Sequence, residues 1–313
     1  MQRKLSDRSE FPDQMFTLAR ASGSFQGCVS GLDFATDGSS FLVYSAEGLV
    51  GIFDLDEGRL SRTHQCTKYG ISCLRYVHSS DVVALAPALD NDFSWRLWDL
   101  PSNKWTSVFK GHDSNILSLD VHPSERMILA NDVGGSLLLW DPRKEAHVEK
   151  LNKKVGCGAS FDKSQENVFA VSSAGKSEAE LYDVRFLHKP FAKFKAKDQK
   201  ITALNFSSNG ETLAVQSQSE LCLIDSRSGI LRAAVSTTND RFQPSFHPNG
   251  KFLVSGGADF LVNIYSHELH LLQSISDHEG FACAAFSPVH DLLVSAATGI
   301  GLWVPTQLLP TVH

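Results

Sequence analysis

Leu139-Trp140-Asp141-Pro142-Arg143 ends an apolar run in a tryptophan–aspartate pair. An aromatic or aliphatic residue followed by aspartate also stands at Phe53-Asp54, Trp98-Asp99, Tyr182-Asp183 and Ile224-Asp225, and two degenerate endings follow at Tyr265-Ser266 and Trp303-Val304. The second residues of these pairs are 45, 42, 42, 42, 41 and 38 positions apart. A period of about 40–45 residues is that of a unit of four short strands.

The interior of each repeat agrees. First strands read Gly31–Phe34, Ile71–Tyr76, Ile116–Val121, Cys157–Phe161, Ile201–Phe206, Gln243–Phe246 and Phe281–Phe286, with apolar residues mostly alternating with small or polar ones. A turn follows each, among them Asp37-Gly38, Asn209-Gly210 and Asn249-Gly250. Glycine supplies the positive φ that tight hairpins need. Second strands such as Phe41–Ser45, Val82–Ala86 and Phe252–Ser255 are built of Val, Leu, Ala and Ser, which suits face-to-face packing. Fourth strands are expected at Lys104–Lys110, Phe191–Lys195 and Ile230–Ser236. No window sustains helical periodicity over three turns. Seven endings therefore predict an all-β chain folded as a single seven-bladed β-propeller.

We expect a flexible N-terminal tail at residues 1–13, the propeller at 14–306 and a C-terminal tail at 307–313. The residues after Trp303 include Pro305 and Pro310, and proline donates no ladder hydrogen bond, so the last repeat needs a fourth strand from elsewhere. Met15–Ala21 has strand character and is expected to complete the seventh blade as its outer strand, which leaves only short, protected edges.

Composition narrows the function classes. Of 313 residues, 42% are hydrophobic and 20% charged, enough for a core and too apolar for disorder. A formal charge of −6 argues against general nucleic-acid binding. Six cysteines without a CxxC pair read as buried, reduced thiols. The polar stretch Met1–Glu10 is no secretory signal, and no apolar run approaches membrane-span length. These features lead us to expect a soluble protein of the cytosol or nucleus. Twelve histidines are scattered, and neither a metal-ligand cluster, a phosphate-binding loop nor a nucleophile elbow is visible. No catalytic residue, metal or cofactor is expected. A buried His–Ser/Thr–Asp–Trp chain has scattered parts (His112, His278, Asp92, Asp259), but no single repeat holds all four. Gly134 stands where the third hairpin should carry aspartate, and Glu47 where the first should.

The loops ahead of the first strands share one rim of such a ring. They carry Lys68 and Tyr69, Lys153 and Lys154, Lys197 and Lys200, and Arg241. We expect this rim to bind an acidic or phosphorylated partner segment, with lysines for the phosphate and Tyr69 as an aromatic anchor. The competing reading is ordinary solvated loop lysines.

Several stretches carry a family resemblance: Lys68-Tyr69-Gly70 followed by Leu74-Arg75-Tyr76, Ala159-Ser160-Phe161-Asp162, Leu181-Tyr182-Asp183-Val184-Arg185 running into Pro190-Phe191-Ala192-Lys193, and Leu302-Trp303-Val304-Pro305. The chain resembles the WD-repeat β-propeller family. Within it, the chain is similar to the nuclear scaffold subunits of histone methyltransferase and 3′-end processing complexes. The resemblance implies a non-catalytic nuclear scaffold without a cofactor. It also implies partners: a methyltransferase subunit, a PNUTS-like phosphatase-targeting subunit, protein phosphatase 1 and the phosphorylated RNA polymerase II tail. A small-molecule substrate, a membrane and direct sequence-specific nucleic-acid binding are not expected. The alternative is a substrate receptor of a cullin-RING ubiquitin ligase. Such receptors resemble this chain in a Trp-Asp-x-Arg ending, matched here by Trp140-Asp141-Pro142-Arg143 and approached by Tyr182-Asp183-Val184-Arg185 and Ile224-Asp225-Ser226-Arg227.

Overall fold

The computed structural model describes residues 16–22, 25, 27–89, 92–144, 146–151, 154–164, 167–174, 176–197, 200–237, 243–256, 261–276, 283–297 and 299–306. Both tails expected from the sequence lie outside these residues. Among the described residues there is no α-helix; 28 strands, β1 to β28 in chain order, pair into seven antiparallel four-stranded sheets.

The innermost strands of the seven blades are β2 (Val29–Phe34), β6 (Cys73–Tyr76), β10 (Ile116–Val121), β14 (Val155–Phe161), β18 (Ile201–Phe206), β22 (Ser245–Phe246) and β26 (Cys283–Phe286). Each touches the next, and β26 touches β2, so the sheets form a closed ring. The seventh blade closes as the sequence predicts. Its order is β26, β27 (Leu293–Ala296), β28 (Ile300–Pro305) and then β1 (Phe16–Ser22). Phe16 pairs with Pro305 and Ser22 with Ile300. The Gln273 side chain of blade 6 accepts from Phe16 N and donates to Phe16 O, both at 2.9 Å.

The core lies between blades. Strand residues alternate sides, so each sheet has two apolar faces, and each face is buried only by a neighbouring sheet. Leu42, Tyr44, Val50 and Ile52 of blade 1 pack on Leu74, Val83, Leu85 and Trp98 of blade 2. Blades 7 and 1 share a larger cluster, including Phe16, Phe34, Phe41, Phe286 and Val294. Gly31 lets two blade-1 strands close up, because a Cβ there would stand 2.3 Å from the Tyr44 hydroxyl.

Around the channel, side chains of one inner strand bond the backbone of the next. Tyr76 N donates to Asp33 Oδ2 at 2.8 Å, Arg75 Nε to Leu119 O at 3.3 Å, and Phe161 N to Asp120 Oδ2 at 2.6 Å. The Cys157 thiol donates to Ile201 O. Asn205 Nδ2 donates to Pro244 O at 2.8 Å, and Phe286 N to Ser245 Oγ at 3.1 Å. These contacts satisfy polar groups that the ring geometry withdraws from water. The interface from blade 7 to blade 1 is carried by the apolar cluster. Arg75 also reaches across the channel to Gln243 Oε1 at 3.2 Å and pairs with Asp33 at 3.4 Å.

The buried polar chain is incomplete, as the sequence implies, and blade 3 shows how. His112 Nδ1 meets Asp132 Oδ2 at 2.8 Å; Asp132, two residues before Gly134, takes over the hairpin aspartate's part. His112 Nε2 and Trp140 Nε1 have no partner among the described residues. In blade 7 the equivalent tryptophan, Trp303, donates to Ser295 Oγ at 2.8 Å. Ser295 stands two residues beyond Leu293, the strand partner of Trp303, and Ala130 stands two beyond Ile128, the partner of Trp140. Ala130→Ser is therefore expected to place a hydroxyl beside the orphaned indole N–H. It should raise unfolding free energy by about 1–2 kcal/mol. A urea midpoint unchanged or lowered would show that the hydroxyl finds no partner.

His122 and His247 sit in turns after inner strands. Each turns Nδ1 toward backbone N–H groups, of Ser124 and Glu125 in one case and of Asn249 in the other, in keeping with a structural reading.

Candidate partner-binding rim

In an antiparallel blade the first and third strands start at the same end. The loops that enter each inner strand and the hairpins between second and third strands therefore share one rim. In blades 1, 3, 4 and 5 the inner strand has a register shift near its rim end, which re-aims side chains there.

Lys68 and Tyr69 lie in the loop between blades 1 and 2. The loop turns at Gly70 (φ 59°), whose Cβ would stand 2.8 Å from Ala46 O. Tyr69 O accepts from Ala88 N at 3.2 Å and Leu89 N at 3.1 Å, which ties the loop to the blade-2 hairpin. The Tyr69 ring is half-buried and already occupied. Lys68 Nζ lies 5.2 Å from its centroid, Arg96 Cζ 4.2 Å, and Trp105 meets it edge-on at 5.7 Å. Arg96 is in turn paired with Asp92. Tyr69 is thus held rigid, with exposed Leu89 beside it.

Lys154, Lys197 and Lys200 are exposed at the entries to blades 4 and 5. Ala174 N donates to Lys154 O at 3.1 Å, which sets the blade-4 hairpin, with its exposed Lys176, against the same loop. Lys197 Nζ approaches Glu220 at 3.5 Å; Lys154, Lys176 and Lys200 have no carboxylate partner among the described residues. Burial pushes the Cys157 thiol up, and the Ser172 hydroxyl and, least, Lys200 draw it back. Lys153 and Arg241 lie outside the described residues. Among the described residues the rim carries most of its cations over two adjacent blades, 4 and 5, with Glu220 beside Lys197. On blades 1 to 3 Glu47, Asp92 and Asp113 stand among the cations. Sequence reading missed Lys176 and Arg96, because it followed the entry loops and not the hairpin side of the rim.

On the opposite rim, the Asp-x-Arg arginines bond within their own repeats. Arg143 Nε and Nη2 donate to Asp141 at 2.9 and 2.7 Å, and Arg185 repeats the fork on Asp183 at 2.9 and 2.6 Å. Arg143 holds the Asp141 carboxyl well below its usual range, at about 2. Among the described residues no group of three His, Cys, Asp or Glu is placed to hold a metal.

The blade pattern recurs in comparison with known families. Residues 103–141 and 240–266 match the WD40 family, described as WD domain, G-beta repeat. The chain is a seven-bladed β-propeller, and these two stretches of it are similar to the WD40 repeat. This propeller is 29% identical to WD repeat-containing protein 82 of Drosophila melanogaster over 291 residues, which span 89% of this chain and 91% of that protein. It is 25% identical to the Set1 complex component swd2 of Schizosaccharomyces pombe over 255 residues, 78% of this chain and 70% of that protein. It is also 22% identical to the E3 ubiquitin-protein ligase COP1 of Arabidopsis thaliana; that match covers 77% of this chain but only 37% of COP1.

Proposed function

We propose that this WD-repeat propeller is a non-catalytic scaffold subunit of nuclear complexes acting on chromatin and RNA polymerase II transcription. Two settings fit: a histone lysine methyltransferase complex, and a complex of protein phosphatase 1 with a PNUTS-like targeting subunit that acts in transcription termination and mRNA 3′-end processing. The observation that carries this reading is likeness along nearly the whole length to WD repeat-containing protein 82, together with a relative named for the Set1 complex. The basic rim of blades 4 and 5 is the surface we assign to a phosphorylated partner, such as the polymerase tail. A phosphate carries up to about two charges and strong acceptors, which unpartnered lysines can meet. The ligase-receptor alternative draws less support, since Arg143 and Arg185 are engaged by their own aspartates and the COP1 match covers a minor part of that protein.

Affinity purification of the tagged chain tests both levels. The wild-type chain is expected to recover a methyltransferase or phosphatase-targeting subunit together with phosphorylated polymerase. Lys154→Glu/Lys197→Glu/Lys200→Glu should keep its thermal transition and the protein subunits but lose the phosphorylated polymerase at least about tenfold, as a change of ~1.4 kcal/mol per decade requires. Recovery of a cullin-RING adaptor in place of these subunits would overturn the scaffold assignment, and unchanged polymerase recovery would remove the rim from it.

A further inference from the structure

A cleft of about 370 Å³ opens on the outer wall between blades 3 and 4. It exists because the outer strand of blade 3, β13 (Glu149–Lys150), has only two residues, while a long connection, 184–191, precedes the outer strand of blade 4, β17 (Ala192–Lys195). Its floor is the fully buried Glu180. The Tyr182 hydroxyl donates to Glu180 Oε2 at 2.9 Å, and Lys193 Nζ stands 3.0 Å from Oε1. Burial and the neighbouring Glu180 carboxylate push the Tyr182 hydroxyl up, so it stays a donor. The floor is thus a neutralised pair.

Charge on the walls is uneven. Arg143 and Arg185 are cancelled by Asp141 and Asp183. Lys144, Lys150 and Lys189 are exposed with no carboxylate partner among the described residues, against two acids, Glu149 and the Glu178 that stands near Lys193. A local excess of cations in a chain of net charge −6 attracts acidic groups.

The lip is apolar. Phe191 N donates to Leu181 O at 2.9 Å, which extends the ladder of β17 by one residue. By alternation Phe191 shares the face of Lys193, the cleft side. Phe191 is 51% exposed and Phe186, in the same connection, 68%. The corresponding connection of blade 5 comes against β17 at Gly229, where a Cβ would stand 3.0 Å from Lys193 O; the next residue, Ile230, is 66% exposed. Large apolar side chains grouped beside a cavity mark interaction surfaces more than solvated ones.

We infer that the outer wall of blades 3 to 5 is a docking groove for a short acidic peptide segment bearing aromatic or aliphatic side chains. Its apolar groups cover Phe191 and Ile230 and enter the cleft, while its carboxylates meet Lys150 and Lys189. None of the rim lysines lines the cleft, so the propeller can hold two partners at once.

The test is fluorescence anisotropy of the purified full chain with a labelled peptide of alternating Glu and Phe or Leu, and with its Lys-for-Glu counterpart. The acidic peptide is expected to bind in a salt-sensitive way and the basic one not to bind. Lys150→Glu/Lys189→Glu and, separately, Phe191→Ser/Ile230→Ser should each weaken binding at least about tenfold. The first pair is exposed, so it should leave the melting temperature unchanged and keep the test readable even if the second pair loosens the fold. The rim variant Lys154→Glu/Lys197→Glu/Lys200→Glu should bind the peptide as wild type does. Absence of binding, preference for the basic peptide, or indifference to the wall variants overturns the groove. Loss on the rim variant instead would move the peptide to the rim, overturning the groove while leaving the scaffold reading intact.

Discussion

Deleting residues 1–22 is expected to abolish the cooperative thermal transition of the whole ring, not to trim one blade. The deletion removes β1, the outer strand of blade 7, and with it the ladder from Phe16–Pro305 to Ser22–Ile300. It also removes buried Phe16, which contacts Phe286 at 5.6 Å between ring centroids, and the two hydrogen bonds that Phe16 makes with the Gln273 side chain. A buried phenylalanine contributes roughly 1.5–3 kcal/mol, and each ladder bond about 1 kcal/mol net. The sum is of order 5 kcal/mol or more, comparable with the ~5–15 kcal/mol that separates folded from unfolded states. The bared edge of β28 would then invite pairing between molecules. Circular dichroism melting with light scattering checks this: a broad, low transition with aggregation is expected, and a wild-type melt would show that closure does not depend on β1.

Arg75→Met is expected to cost about 3 kcal/mol near neutral pH, with a clear pH signature. Arg75 bonds the inner strands β2 and β10 and Gln243, which leads into β22; it is the cation nearest Asp33, and each of the two side chains is 24% exposed. Removing one partner of a largely buried pair leaves an uncompensated charge, which is worse than having neither. Burial already raises the Asp33 carboxyl above its ordinary value, while Arg75 and the Tyr76 N–H pull it down. Without Arg75 it rises further. A folded-state value above the unfolded one means that the folded chain binds the proton more tightly. That contribution is complete below the unfolded value near 3.8 and is lost as pH climbs through the raised folded value. The variant should therefore lag wild type more at about pH 8 than at about pH 5. Asp33→Asn/Arg75→Met should recover much of the loss, because an asparagine still accepts from Tyr76 N without carrying a charge. Equal urea midpoints for wild type and Arg75→Met at both pH values would remove the channel pair from the stability of the ring.

The ring itself was legible. The regular recurrence of Trp-Asp-like endings set the number of blades, and turns such as Asp37-Gly38 placed the hairpins; Gly38 does have φ +71°. The closing strand was legible too, since prolines after Trp303 left the last blade one strand short. What linear order hides is contact between repeats. Asp33, Asp120 and Asn205 look like ordinary polar positions of alternating strands, and only the ring shows that each grips the next blade. Asp132 was overlooked because the motif places the aspartate two residues later, at Gly134. The rim was half legible: Lys154, Lys197 and Lys200 follow from loop counting. Lys176 reaches the same place from a hairpin, and Tyr69 looked like a free anchor until Lys68, Arg96 and Trp105 were seen around its ring. The groove on the outer wall had no sequence signal, because it arises from a strand that stops after two residues.

The closing strand also sets a timetable for the nascent chain. Thr17 and Thr306, whose hydroxyls meet at 2.8 Å, are 289 residues apart. At roughly 5–20 residues per second, the ribosome delivers the second some 15–60 s after the first. For that interval β1 has left the exit tunnel with no strand to join, and six blades have been synthesised without a sealed ring. That segment must be kept from other sheet edges until β28 has emerged, which makes the ring's first-made strand the last to find its place.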